Sequence, residues 1–280
     1  MKIRSSTLGV ALALLAGSGM GHAATWSAGF TDCATYSTST STVTCNNTAG
    51  VSAVQVSAIG TNAYTTGSDF VLKDLNYYDG GGLGVDPIGT TEGSPEHAID
   101  NKNYVDAVVI KFDSSVALNQ VTLGWRQYDW DFSVFAYTGT EATPNFFPSG
   151  TTTTLDLTST LGGSWSLVTN YAAVDGCTSS CTGAVNISGL NAGGVSSTWW
   201  VISAYSSAYG TSNKVGSGDL DSTTNTYTTN KDYFKLLSAA GTTVDTTTPP
   251  GVPEPASLAL VGIALMGAWG SRRRMAARTR

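Results

Sequence analysis

Ala107-Val108-Val109-Ile110-Lys111-Phe112 is a nearly continuous apolar run with no helical spacing. That is the pattern of a β-strand covered on both faces. Further strands are legible on either side of it. Val121, Leu123 and Trp125 alternate on one face. Phe132, Val134 and Ala136 alternate with Ser133, Phe135 and Tyr137. Residues 51–59, 199–205 and 233–237 have the same character: short, rich in β-branched and aromatic side chains, and bounded by Gly, Ser, Thr, Asn and Asp. Helical periodicity is almost absent apart from one expected turn over residues 96–101. Residues 38–44 and 151–154 are Thr/Ser-rich and read as strand faces. Many short strands with frequent turn signals predict an all-β fold, an antiparallel β-sandwich or jelly roll.

The two ends of the chain are different. Met1-Lys2-Ile3-Arg4 is a basic start, residues 8–16 are apolar, and Gly21-His22-Ala23 places small residues where a signal peptidase reads them. Residues 1–23 are therefore expected to be a signal peptide. At the other end, Pro253-Glu254-Pro255 precedes an uncharged stretch, residues 256–270, and then Arg272, Arg273 and Arg274. A helix of that length spans about 22 Å, short of the roughly 30 Å hydrocarbon core, so it would need local thinning or snorkelling flanks. The arginines act as a membrane stop and mark the cytoplasmic side. The two prolines keep the tripeptide extended and accessible.

This order of tripeptide, short transmembrane helix and arginine-rich end resembles the sorting signal of the PEP-CTERM family of bacterial surface proteins. The resemblance implies recognition by an exosortase, a membrane-embedded transpeptidase-like cysteine enzyme, with cleavage near Pro253-Glu254-Pro255. It further implies export through the inner membrane of a Gram-negative-type bacterium. The product is first a membrane-anchored precursor and then a cell-surface or extracellular protein. The expected organisation is residues 1–23 as signal peptide, 24–240 as β-sandwich ectodomain, 241–252 as a Thr/Pro-rich stalk and 253–280 as sorting signal.

Both ends removed, seven basic residues remain against nineteen acidic ones, a net charge of about −12. So acidic a domain has no basic footprint for nucleic acid. All four cysteines, Cys33, Cys45, Cys177 and Cys181, lie in the exported part. In an oxidising compartment they can pair in three ways, and nearness favours Cys33 with Cys45 and Cys177 with Cys181. A zinc site at Cys177-x-x-x-Cys181 is the alternative, with no histidine nearby in sequence.

One histidine, His97, remains after the signal peptide is removed. That excludes multi-histidine metal catalysis within one chain, and no Gly-x-Ser-x-Gly elbow accompanies it. Tyr128-Asp129-Trp130-Asp131 is the richer constellation. Asp129 and Asp131 are two apart and would face the same side of a strand. The group reads as a solvated loop, as a sugar-binding surface that stacks and hydrogen-bonds, or as the carboxylate pair of a glycan hydrolase. Asp79-Gly-Gly-Gly-Leu-Gly-Val-Asp86 reads as a flexible acidic loop or, with oxygen ligands at Asp79 and Asp86, as a calcium site. No other cofactor is implied.

A second likeness runs through His97-Ala-Ile-Asp-Asn101, Leu123-Gly-Trp125, Asp129-x-Asp131 and Asp232-Tyr-Phe-Lys-Leu236. It is similar to a pattern shared among some exosortase-dependent surface proteins and implies no enzymatic role. The expected function is non-enzymatic: a structural or adhesive component of the cell surface or exopolysaccharide matrix. A carbohydrate-binding sandwich, calcium-stabilised, is the alternative, and a hydrolase using Asp129 and Asp131 is the third reading. Expected partners are signal peptidase, exosortase, the membrane during transit, and exopolysaccharide.

Overall fold

The computed structural model describes residues 24–31, 33, 42–46, 48–52, 54–61, 70–88, 95, 97–140, 164–174, 177–220, 231–243 and 263–264. The signal peptide, Pro253-Glu254-Pro255 and Arg272, Arg273 and Arg274 lie outside these residues, as does the Thr-rich stretch 151–154. The chain divides into Ala23–Val244 and the terminal segments. Of the latter only Ile263 and Ala264 are described, and they are helical and exposed. No helix among the described residues is long and apolar enough to cross a membrane.

The described residues of Ala23–Val244 form β-strands and connections, with one 3-10 turn at Ser207–Tyr209. Among the described residues the strands are β1 (Thr25–Gly29), β2 (Thr42–Cys45), β3 (Thr48–Ala49), β4 (Val54–Thr61), β5 (Phe70–Leu72), β6 (Asp74–Tyr78), β7 (Gly82–Asp86), β8 (Ile99–Asp100) and β9 (Asp106–Tyr128). They continue with β10 (Phe132–Tyr137), β11 (Trp165–Ala172), β12 (Cys177–Ser188), β13 (Ser197–Ala204), β14 (Lys214–Gly216) and β15 (Asp232–Thr243).

β9 organises the rest. Twenty-three residues at a strand's rise would reach about 75 Å if straight, against a radius of gyration near 17 Å for a domain of this size. The strand has to bend, and it does so where Asp113 and Ser114 are exposed. Its register with β13 jumps there, from Trp199 opposite Lys111 to Ser197 opposite Val116. Before the bend β9 lies between β4 and β13, and β13 continues through β10 and β11 to β14. After the bend it lies between β12 and β15, and β15 continues through β1 to β3. One hydrogen-bonded sheet thus folds over as a sandwich does, with a strand that switches layers at the corner. Among the described residues the strand pairings are antiparallel except for β11 with β14, and an isolated bridge between Asp129 and Asp232 is parallel as well.

The main core is drawn from both halves: Val108, Ile110, Phe132, Val134, Trp200 and Ile202 from one, Leu118, Val121, Leu123, Phe234 and Leu236 from the other. The opposite face of the first half is apolar as well, with Val109, Phe135, Tyr137, Trp199 and Val201 in a second cluster. This explains why 107–112 and 132–137 are apolar at both parities. Gly241 shows how tightly the second half is packed. A Cβ there would sit 1.9 Å from Ala117 O and 3.0 Å from Trp26 Nε1, and that indole donates to the same carbonyl.

Three local expectations change. Trp125 leaves the core face that holds Val121 and Leu123, because the register shifts between Lys235 and Leu236 and turns Trp125 towards Lys235. Ile99 and Asp100 pair with Phe234 and Tyr233 as β8 instead of forming a helical turn. Gly241–Thr243, placed in the stalk, continue β15, where Thr242 pairs with Thr25. The disulfides join Cys33 to Cys45 and Cys177 to Cys181, so the four cysteines are not zinc ligands.

Phe234 is fully buried and lies 5.7 Å from the Phe132 ring. Phe234→Ala should cost about 3–5 kcal/mol. Asp113→Ala, at the exposed bend, should stay within about 0.5 kcal/mol. Urea denaturation of the two variants measures the contrast, and equal losses would contradict the core assignment.

Candidate functional site

The Asp129-Trp130-Asp131 connection between β9 and β10 is the chemically richest place in the described domain. Tyr128 ends β9 with φ at 54°, a left-handed conformation that a bulky residue adopts only when its surroundings enforce it. The enforcement comes from neighbouring strands. The Tyr233 N–H donates to Asp129 O at 3.0 Å and the Tyr205 N–H to Asp131 O at 3.1 Å. The chain is therefore held on both sides of Trp130.

The two carboxylates converge with a third. Asp129, Asp131 and Asp232 each offer an oxygen within 4.8 Å of the others, and their exposures are 3, 0 and 0%. Their oxygens accept from the backbone. Asp129 Oδ1 takes the Trp130 N–H at 2.8 Å, Asp131 Oδ1 takes the Ala173 N–H at 2.6 Å, and Asp232 Oδ1 takes the Asp131 N–H at 2.7 Å. Asn101 completes the junction. Its side-chain amide donates to Asp232 Oδ2 at 2.5 Å and to Tyr205 O at 2.9 Å, while its Oδ1 accepts the Asp232 N–H at 3.0 Å. Five separate stretches of chain are tied together here.

Burial, and then the charges of Asp129 and Asp131, raise the Asp232 pKa well above the usual carboxylate range; the Asp131 N–H and Asn101 oppose that shift. Three buried carboxylates this close are compatible with a shared proton or with a hard cation, which wants carboxylate and carbonyl oxygens. Asp129, Asp131 and Asp232 would be the residues that hold such a cation.

The expected site residues separate accordingly. Asp129 and Asp131 do come together, but facing inward. Trp130 is 8% exposed, lies 5.5 Å from the Tyr171 ring and has the Arg126 guanidinium 5.5 Å from its own ring. Tyr128 alone of the four is half-exposed. Asp129, Trp130 and Asp131 therefore present little surface to solvent. Asp79 and Asp86 are not brought together: Asp79 is in the exposed turn after β6, and Asp86 is at the far end of β7, opposite Asp74. There Asp86 is buried and accepts from Asn76 and Tyr78. The sequence places Asp232 and Asn101 in one pattern with Asp129 and Asp131 but does not show that they meet them in space. Their positions, about 100 and 30 residues from Asp131, leave no local spacing to read. β15 carries Asp232 to the Tyr128 end of β9.

Comparison with known proteins adds one match: residues 251–274 fit the PEP-CTERM protein-sorting motif. This marks the chain as an exosortase-targeted protein, directed for export to the cell surface or beyond. No curated protein and no solved structure matches the chain.

With a chelator present, the raised Asp232 pKa has a definite sign. Protonated Asp232 contributes stability that is fully present below the ordinary carboxylate pKa of about 4 and is lost as pH rises through the folded-state value. The melting temperature should fall over that range, and Asp232→Asn should flatten the fall. Calcium added at neutral pH should restore the melting temperature if the junction takes a cation. An unchanged value assigns the junction to proton sharing.

Proposed function

We propose that the β-domain is a non-enzymatic structural or adhesive component of the bacterial surface or exopolysaccharide matrix. Signal peptidase acts after Ala23 and exosortase acts at Pro253-Glu254-Pro255. The observation that carries this reading is the sorting motif over residues 251–274, which sends the domain outside the cell.

The domain's construction supports the reading. Its concentrated carboxylates are turned inward and bonded to backbone N–H groups from the residue after β11 and from the Asp129-Trp130-Asp131 turn. They fasten strands together rather than line a cleft. Two disulfides suit an oxidising destination. An exported domain with a net negative charge stays soluble among polymers by charge repulsion. Exopolysaccharide remains the proposed environment of the protein, and contacts with it fall to residues outside Asp129, Trp130 and Asp131, which the fold buries.

Deleting exosortase should leave a precursor in the membrane fraction. In the parent strain the product should appear at the surface or in the medium, with an intact mass matching removal of residues 1–23 and of the segment beyond Pro253-Glu254-Pro255. Replacing that tripeptide by alanines should reproduce the deletion. An identical mass and location in all three strains would refute exosortase processing. Turnover of a glycan substrate by the purified product would refute the non-enzymatic role.

A further inference from the structure

We propose that Lys235 and Asn76 become joined by an intramolecular amide bond that the folded chain forms by itself, with Asp86 carrying the proton. The three residues are brought together by the β6–β7 hairpin and β15. Asn76 pairs with Gly84, and Leu83 pairs with Leu236. Leu83 and Leu236 point into the core, so their chain neighbours Gly84 and Lys235 are turned to the opposite face. Gly84 leaves room there: a Cβ would meet His97 O at 2.4 Å and Tyr78 Cε2 at 3.1 Å. The His97 carbonyl and the Tyr78 ring occupy that space.

Tyr78 links the amine to the acid. Lys235 Nζ lies 3.5 Å from the centre of the Tyr78 ring and 5.0 Å from that of Trp125, and the residue is only 4% exposed. At the other end of the ring, the Tyr78 hydroxyl donates to Asp86 Oδ2 at 2.9 Å, and the Asn76 amide donates to the same oxygen at 2.5 Å. An amine, a carboxylate and a primary amide are therefore gathered around one tyrosine ring, with Lys235 and Asp86 buried and Asn76 half-buried.

The chemistry follows from burial. Desolvation lowers the Lys235 pKa to about 8, with the Asp86 charge opposing the shift. At pH 7 about a tenth of the amine is then neutral, against a few parts in ten thousand for an ordinary lysine. The neutral nitrogen attacks Asn76 Cγ and a C–N bond forms. The attacking nitrogen gives a proton to Asp86, and Asp86 gives a proton to Asn76 Nδ2. The bond from Cγ to Nδ2 breaks and ammonia leaves. One amide is consumed and one is made, so no oxidant or co-reactant is needed. Burial of Lys235 and Asp86 limits the water around the amine and the acid, and holding the groups in one fold replaces an encounter between two molecules.

The test is mass spectrometry on the exported, processed protein. The expected intact mass is lower than that of the disulfide-bonded chain by one ammonia. Trypsin should fail to cut after Lys235 and should release a branched peptide in which the Asp74–Lys102 segment is attached through Asn76. Lys235→Arg should restore the full mass. Recovery of the two segments as separate peptides at full mass overturns the proposal and leaves Lys235 as a cation held between two rings. Loss of water in place of ammonia, with the branch at Asp86, overturns Asn76 as the acceptor. The wild-type measurement decides the matter even if a variant fails to fold.

Discussion

The constraint on which the structure depends is the length of β9. A strand that outruns its own domain has to bend, and once bent it belongs to two layers. Everything downstream is placed by which half of it a segment pairs with. β4 and β13 flank the first half and β12 and β15 the second. The core between the layers is thus covalently continuous along one strand. The bend tolerates exposure at Asp113 and Ser114 because the register with β13 breaks off at Lys111 and resumes only at Val116. A charged residue and a small polar one suit a place where the backbone itself meets water.

The end of β9 shows the second consequence. A strand that stops beside β15 and turns into β10 leaves backbone N–H groups to satisfy in the interior. Here Asp131 and Asp232 supply acceptors and Asn101 ties Asp232 to Tyr205. Burying three carboxylates is expensive unless their charge is compensated. A proton on Asp232 or a shared cation lowers that cost. The junction is therefore best understood as a fastening whose charge state depends on its surroundings, and the surroundings of an exported protein are set outside the cell.

How much of this was legible depended on range. The apolar parity of 107–112 and 132–137 reports burial on both faces directly, since each face of a strand is sampled at every second residue. Trp125 broke the rule because one register shift inverts every residue beyond it, and nothing in Leu123-Gly124-Trp125 distinguishes a bulge from an uninterrupted strand. Asp129 and Asp131 were legible as a pair by spacing, but which way they face is decided by β15 and Asn101, which no local pattern connects to them. Asp79 and Asp86 were misleading for the converse reason. Closeness in sequence does not entail convergence, because a hairpin strand separates its ends by about 3.3 Å per residue.

The same distinction of range bears on how such a domain holds together without help. Its disulfides span separations of 12 and 4 residues, so they secure local loops and do little to restrict the unfolded chain as a whole. The contacts that cross long distances, such as Asp131 to Asp232 and Asn101 to Tyr205, are hydrogen bonds, which vanish on unfolding. A bond from Asn76 to Lys235 would close a loop of about 160 residues, with a chain-entropy contribution of about 5 kcal/mol against about 3 for a 15-residue loop. It would join the β6–β7 hairpin to β15, the strand that also holds β1, β8 and the second half of β9. Placed there, one covalent link would tie the peripheral hairpin to the central strand of its layer. The disulfides, confined to β12 and to the start of the chain, are not positioned to do this.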